Sequence, residues 1–152
     1  MNIIKVTDKP LADACDEMLT SLIMDERQYD RNISENFIVC DWYSTTLDNE
    51  QLITFAAIDE GEAIGFIHGF IKDQAGTYVN ETVVMLDAMY VKDKSRKQGV
   101  GTALIEEFKK WGKSVHAKYI DLTVLIDNSS GIELYKKHGF IPLKSYMRNE
   151  IK

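Results

Sequence analysis

The sequence predicts an α/β domain (α+β in some schemes) with a mixed, mostly antiparallel central sheet flanked by helices. Three features indicate it: an apolar hairpin in the first half, helices with a clear apolar face, and a strand–helix–strand unit in the second half. The 152 residues are 45% hydrophobic and 28% charged, as is typical of a single compact domain. We therefore expect one domain over residues 1–152.

The first half of the chain begins with a short strand and an amphipathic helix. Residues 1–6 predict the strand, and the run Thr7-Asp8-Lys9-Pro10, with a cap residue and an early proline, predicts the helix start. Apolar residues then recur at i, i+4, i+7 and i+11, at Leu11, Cys15, Met18 and Leu22. Residues 25–50 have the weakest pattern, and we expect a short helix and loops there.

The remaining elements are predicted from alternating apolar residues and from the turn residues between them. Residues 52–58 and 63–71 flank the turn Asp59-Glu60-Gly61-Glu62 and predict a β-hairpin, followed by a turn at Ala75-Gly76. Further along, the sequence predicts a long central strand over 82–91, a helix over 100–115 and a strand over 119–126. A second helix, over 130–138, begins with a capping box and ends before Gly139, and two short strands follow at 140–143 and 145–151.

The most informative stretch is the glycine-containing run between the long strand and the next helix. It reads Arg96-Lys97-Gln98-Gly99-Val100-Gly101-Thr102. Two glycines one residue apart at a helix start expose consecutive backbone N–H groups, and Lys94, Arg96 and Lys97 add positive charge. Such a site suits phosphate oxygens.

A nucleotide is the first ligand to test against this run. Gly99-x-Gly101 follows a strand and Asp121 lies 20 residues later, as a dinucleotide fold requires, but Leu104 stands where a third glycine or alanine is needed. The run also lacks the Gly-Lys-Ser/Thr of an ATP-binding loop. The sequence therefore disfavours nicotinamide and ATP.

Two motifs together resemble the GCN5-related N-acetyltransferases, the GNAT superfamily. The first is Arg96-x-x-Gly99-x-Gly101 after a strand, and the second is Asn128-x-x-Gly131-x-x-Leu134-Tyr135-x-x-x-Gly139-Phe140. The element order is similar along nearly the whole chain, with one departure at Gly131, where the family more often has alanine. The resemblance implies a GNAT-like acyl-CoA N-acyltransferase fold.

The resemblance also implies acetyl-CoA as cosubstrate, with no metal. The backbone N–H groups of Gln98, Gly99, Val100, Gly101 and Thr102 would hold the pyrophosphate, with Arg96 and Lys97 beside them. Met89 and Val91 would bond the pantetheine amides where their strand splays from its neighbour, and Asn128 would contact the coenzyme. A backbone N–H near Met89 would stabilise the developing oxyanion.

The resemblance assigns the two proton transfers that amine acetylation requires. Tyr135 matches the tyrosine that protonates the coenzyme A sulfur, although an aromatic core role is the alternative. Asp87 lies in the central apolar strand, where a carboxylate is either paired or faces the cleft. It is a candidate base, acting directly or through water, or else a structural, hydrogen-bonded aspartate.

The acceptor is expected to be a cationic small molecule or a peptide amine. Residues 1–60 carry 13 acidic and 4 basic side chains, whereas the rest of the chain has a small basic excess. We expect Asp25, Glu26 and His68 to contact the acceptor, with surface charge or a structural histidine as alternatives. The overall charge of −6 argues against nucleic acid as a partner.

Several wider expectations complete the sequence interpretation. No apolar run approaches the length of a membrane span, and Cys15 and Cys40 are expected to be reduced core thiols of a cytoplasmic protein. Family analogy suggests a homodimer, formed through the C-terminal strands. A non-catalytic acyl-CoA-binding or regulatory module on the same fold, and transfer of a larger acyl group, remain alternatives to acetyl transfer.

Overall fold

The computed structural model describes residues 1–74 and 76–152, so the predicted turn residue Ala75 lies outside it. A sheet in the order β1-β2-β3-β4-β5 is antiparallel throughout except for the parallel β4–β5 pair. The strands and helices are Asn2–Lys5 (β1), Lys9–Glu26 (α1), Leu52–Asp59 (β2), Glu62–Ile71 (β3), Val83–Val91 (β4), Val100–Ser114 (α2), Tyr119–Asp121 (β5) and Ser129–Lys137 (α3). The predicted mixed, mostly antiparallel sheet is confirmed.

Helix α1 covers one face of the sheet. Its start is as predicted, because the Asp8 side chain accepts a hydrogen bond from the Leu11 N–H and a proline lies in the first turn. The helix buries Ala12, Cys15 and Met18 against the sheet, where they pack on Ala56, Phe66 and Ala88. Tyr43, from a short 3₁₀ turn at Tyr43–Thr46, completes this layer. The predicted helical face is thus the one that packs.

Helix α2 covers the opposite face and forms the larger part of the core. Leu104, Ile105 and Phe108 are fully buried against β2, β3 and β4. Burying one such side chain stabilises the fold by roughly 1.5–3 kcal/mol. Gly69 in β3 makes room for Phe108, since a Cβ there would overlap the phenyl ring and the Met85 carbonyl.

The predicted elements at the C-terminal end differ from the structure. Strand β5 stops at Asp121 instead of reaching Ile126, which is exposed, and α3 is capped by Asn128 rather than by a capping box at Ser130. The two final strands are not formed. Residues 140–152 have no helix or strand, and their large apolar side chains are exposed because no strand lies beside them: Ile141, Leu143, Tyr146, Met147 and Ile151.

Two further sequence expectations concern the cysteines and the membrane. Both cysteines are free, but only Cys15 is a core thiol, since Cys40 is exposed in the loop before the 3₁₀ turn. Within residues 1–74 and 76–152, every helix is too short or too polar to cross a membrane.

Candidate functional site

The outer half of β4 presents a free backbone edge. Only Val83 to Met85 pair with β5, so the strand has no neighbour on that side from Leu86 onward within the described residues. The Lys92 N–H donates to the Ile64 carbonyl toward β3. Because backbone groups alternate in direction along a strand, those of Val91 and Met89 point to the free edge. The predicted splaying of β4 from β5 is therefore present.

The loop after β4 leads into α2, and no side chain of the described residues caps the first N–H groups of this helix. Gly99 is the N-cap residue, with φ 85°. Lys97 also lies in the left-handed region, with φ 60°. A Cβ on Gly99 would meet nothing within 4 Å, so the glycine is required by conformation rather than by packing. The loop leaves an uncapped, electropositive helix end next to the free β4 edge.

Arg96 links this loop to α1. Its guanidinium donates to the Val91 carbonyl at 2.9 Å and pairs with Asp93 at 2.8 Å and with Asp25 at 3.1 Å. It also lies over the Tyr90 ring, 5.3 Å from the centroid. Sequence reasoning assigned Arg96 to the phosphate and Asp25 to the acceptor, and it missed their contact. The Arg96 charge is shared with two carboxylates, and Asp25 is paired.

The first turn of α2 is fixed to the end of α3. The His138 ring lies 3.2 Å from the Thr102 hydroxyl through Nε2 and 3.1 Å from Glu106 through Nδ1. A Cβ on Gly101 would come within 3.2 Å of the Leu134 side chain, so this glycine allows close helix packing. Gln98 turns back to donate to the Lys94 carbonyl. These contacts set the position of the uncapped helix end.

Helix α3 presents Tyr135 between two well-formed caps. Asn128 accepts from the Gly131 N–H at 3.1 Å, and Gly139, with φ 91°, closes the helix with Phe140 N–H bonded to the Tyr135 carbonyl. Burial raises the pKa of Tyr135 to about 12, and the Glu26 carboxylate at the end of α1 adds to the rise. Tyr135 is therefore a protonated hydroxyl at neutral pH.

Asp87 lies in a β-bulge of β4. His68 pairs with Ala88 and Gly69 pairs with Leu86, which leaves Asp87 as the extra residue between them. Its side chain reaches the surface, and it makes no hydrogen bond or ion pair within residues 1–74 and 76–152. Partial burial raises the pKa of Asp87 above its usual range. A partly desolvated, unpaired carboxylate of this kind is suited to accept a proton.

His68 does not reach the cleft, contrary to the prediction that it contacts the acceptor. The side chain is 3% exposed, its Nδ1 lies 2.8 Å from the Thr54 hydroxyl, and the ring packs on Tyr43. Burial lowers the pKa of His68 to about 4. Its position on β3 turns it toward α1 and the 3₁₀ turn, so it is a neutral core residue.

Sequence reasoning missed two residues that organise the segment between α1 and β2. Asp16 is 2% exposed, and its two carboxylate oxygens accept the N–H groups of Trp42 and Tyr43, each at 3.1 Å. Tyr43 is 1% exposed. The available signal was Asp16 itself, a carboxylate next to Cys15 on the apolar face of α1. Nothing in the sequence distinguished Tyr43 from its neighbouring aromatic residues.

Comparison with known families gives this arrangement a context. Residues 17–140 match the family model described as Acetyltransferase (GNAT) family. The chain belongs to this acetyltransferase family. The GNAT match contains the β4 edge, the uncapped start of α2 and all of α3, and the resemblance seen in the sequence motifs is thereby confirmed.

Individual relatives of this GNAT chain are distant. N-alpha-acetyltransferase 60 of Xenopus tropicalis is 29% identical over 114 residues, covering 65% of this chain and 47% of that protein. The chain thus spans about half the length of that relative. Aminoglycoside N(6')-acetyltransferase type 1 of Klebsiella aerogenes is 24% identical over 102 residues, 67% of each chain.

A solved structure supports the fold assignment. The aminoglycoside N-acetyltransferase AAC(6')-Iy in complex with CoA superposes with a TM-score of 0.76 over 99% of both chains, at 19% sequence identity. At this level of identity the likeness shows a shared fold. The α/β architecture with a mixed sheet is thus that of a GNAT domain.

Proposed function

We propose that this GNAT chain is an acetyl-CoA-dependent N-acetyltransferase that acetylates a primary amine by direct attack in a ternary complex. The observation that carries the proposal is the uncapped start of α2, opened by left-handed Gly99, beside the free edge of β4. One feature suits phosphates and the other suits a linear chain of amides. A CoA thioester contains both, and it supplies the activated acetyl group.

The chain's own residues fit this cosubstrate. The N–H groups of residues 98–102 would bind the pyrophosphate, and Lys97 would add a positive charge nearby. The charge of Arg96 is partly neutralised by Asp25 and Asp93. The backbone groups of Met89 and Val91 would bond the pantetheine arm, and the Val91 carbonyl is already engaged by Arg96. Asn128 would contact the coenzyme, and its side chain also caps α3 and so fixes the position of that helix.

Two side chains are proposed for the proton transfers. Asp87 would take the proton of the incoming ammonium, because its raised pKa brings its basicity closer to that of the amine than an exposed carboxylate allows. Tyr135 would donate a proton to the departing thiolate, because its hydroxyl, whose pKa burial raises to about 12, carries its proton at neutral pH. The two groups thus begin the reaction in opposite protonation states.

The acceptor is proposed to be a cationic amine. Glu26 lies at the end of α1, half-buried, with its pKa raised by burial, and its charge reaches Tyr135. Asp25 beside it is paired with Arg96, which makes Glu26 the stronger candidate for contact with an ammonium group. One relative is named as an N-alpha-acetyltransferase and another as an aminoglycoside N(6')-acetyltransferase, and aminoglycosides carry amines that are cationic at neutral pH.

A thiol-release assay with acetyl-CoA and a panel of amines tests the proposal. The panel holds aminoglycosides, polyamines, peptides with free N-termini, and neutral amines as controls. We expect release that depends on a cationic amine and that falls in Tyr135→Phe while acetyl-CoA affinity is unchanged. Exposed Tyr119→Phe is the matched control. Tight acetyl-CoA binding without amine-dependent release would instead indicate an acyl-CoA-binding module.

We also propose that the chain forms a homodimer through residues 140–152 and acts in the cytoplasm. In that segment the odd positions from Ile141 to Ile151 are mainly apolar and the even ones mainly charged, the period of a half-buried strand. All of its large aliphatic side chains are exposed. Light scattering should give twice the chain mass, and charges placed at Ile141 and Leu143 should halve it. A monomeric wild type at every concentration would contradict the dimer.

A further inference from the structure

The side chain of His138 connects the end of α3 to the first turn of α2. It is 7% exposed, and its ring nitrogens Nε2 and Nδ1 lie 3.2 Å from the Thr102 hydroxyl oxygen and 3.1 Å from a Glu106 carboxylate oxygen. The two helices approach closely here, since a Cβ on Gly101 would come within 3.2 Å of the Leu134 side chain. An imidazole that is buried and bonded on both sides has a fixed orientation.

The direction of the two hydrogen bonds follows from the chemistry of Glu106. Lys109 lies 3.0 Å from the same carboxylate oxygen, and the hydrogen bonds from Lys109 and His138 lower the pKa of Glu106. An ionised carboxylate only accepts, so Nδ1 of His138 carries the proton and donates it. In the neutral ring Nε2 is then an acceptor, and the Thr102 hydroxyl donates to it. The Thr102 hydroxyl is thereby held toward α3.

The position of Thr102 in α2 gives this contact its importance. Thr102 is the third residue after the N-cap residue Gly99. Threonine hydroxyls bond readily to nearby backbone groups, and the third helical position is the one from which a capping-box side chain reaches back to the helix start. Within the described chain no side chain makes such a bond to α2. The His138 ring holds the hydroxyl that could make it.

We propose that His138 is a positioning residue for the coenzyme site, because it holds the Thr102 hydroxyl against α3 and so keeps the first N–H groups of α2 free for the pyrophosphate. This role rests on the proposed function, in which those N–H groups bind acetyl-CoA. Without the imidazole, the Thr102 hydroxyl turns back toward its own helix and competes with the phosphate oxygens for the same donors. Glu106 supports His138 by fixing its tautomer.

His138→Asn tests this role, because the amide can take the place of Nδ1 beside Glu106 while nothing replaces Nε2 at Thr102. The Kd for CoA in a calorimetric titration should rise about two- to tenfold, as expected for one competing neutral hydrogen bond. Adding Thr102→Val removes the competing hydroxyl, keeps the branched side chain, and should recover most of the lost affinity. General damage to the helix junction would instead worsen in the double variant. His116→Asn, at an exposed residue just beyond α2, is the matched control.

Amide hydrogen exchange of the ligand-free proteins gives a second measurement. The N–H groups of residues 99–102 should exchange more slowly in His138→Asn than in the wild type, because one of them gains an acceptor, and the double variant should return to the wild-type rates. Faster exchange in His138→Asn would contradict the role.

Two affinity results would overturn the proposal: an unchanged CoA affinity in His138→Asn, or a double variant that binds CoA no more tightly than His138→Asn. A wild type that binds CoA but releases no thiol with any amine would overturn acetyl transfer and leave the role of His138 intact. A wild type that binds no CoA would overturn both.

Discussion

Acidification between pH 7.5 and pH 5.0 should destabilise this protein through His68. The imidazole has an ordinary pKa of 6.5, and burial lowers it to about 4 in the folded state. Below pH 6.5 the unfolded chain therefore binds a proton that the folded chain does not accept. The contribution is absent above pH 6.5, grows as the pH falls, and is complete below pH 4.

The size of this loss follows from the two pKa values. At pH 5.0 the unfolded histidine is almost fully protonated, whereas the folded one is mostly neutral. Proton linkage then gives a loss of about 2 kcal/mol in the free energy of unfolding between pH 7.5 and pH 5.0. Since ordinary domains are stable by roughly 5–15 kcal/mol, a change of this size is readily measured.

Urea unfolding at the two pH values, followed by circular dichroism, measures the effect. His68→Asn is the control variant, because its amide can occupy the place of Nδ1 beside the Thr54 hydroxyl without titrating. The variant should be less stable overall, but its free energy of unfolding should change by about 2 kcal/mol less over the same pH interval. The same pH dependence in both proteins would refute the reasoning, since His116 and His138 remain in each.

Three glycines give further predictions. Gly99→Ala should cost about 1–2 kcal/mol, because φ is 85° there, and should weaken acetyl-CoA binding in a calorimetric titration; unchanged affinity would contradict the role of the loop. Gly69→Ala should cost at least about 3 kcal/mol in urea unfolding, because a Cβ would overlap Phe108 and backbone; a loss below 1 kcal/mol would show that the core adapts. Gly131→Ala should be nearly neutral, because about 1 kcal/mol of helix propensity is offset by loss of the Asn128 cap, whose side chain lies 2.7 Å from the new Cβ. In the Asn128→Ala background the same change should stabilise, and thermal unfolding would decide.

The elements that the sequence predicted well are those fixed by local chemistry. Helix α1 begins where Asp8 and Pro10 indicated, and the β2–β3 hairpin follows from two apolar runs around Gly61. The prediction of two C-terminal strands was wrong for a different reason. A period-two pattern shows that a segment can form a strand, but a strand exists only where a neighbour supplies hydrogen bonds. For residues 140–152 no neighbour lies within the described chain.

The candidate site divides along the same line. The glycine run was singled out because two glycines open a helix after a strand, and Tyr135 because its motif resembles that of the GNAT family; their functional roles stay predictions. The bulge at Asp87 and the burial of Tyr43 could not be predicted, because each depends on register between elements distant in sequence. His68 was misplaced for the same reason. Its strand was correctly predicted, but the sequence does not show which layer covers each face of that strand.

The charge asymmetry of the sequence has a structural consequence that composition alone did not reveal. Two acidic side chains near the end of α1, Asp25 and Asp30, pair with Arg96 and Arg148 from the basic second half. The Arg148 guanidinium holds the pKa of Asp30 below its usual range. Part of the negative charge is therefore neutralised within the chain. Glu26 makes no such pair within the described residues. In the proposed function, an acceptor cation would therefore contact the Glu26 carboxylate specifically, and the net charge of the region would matter less.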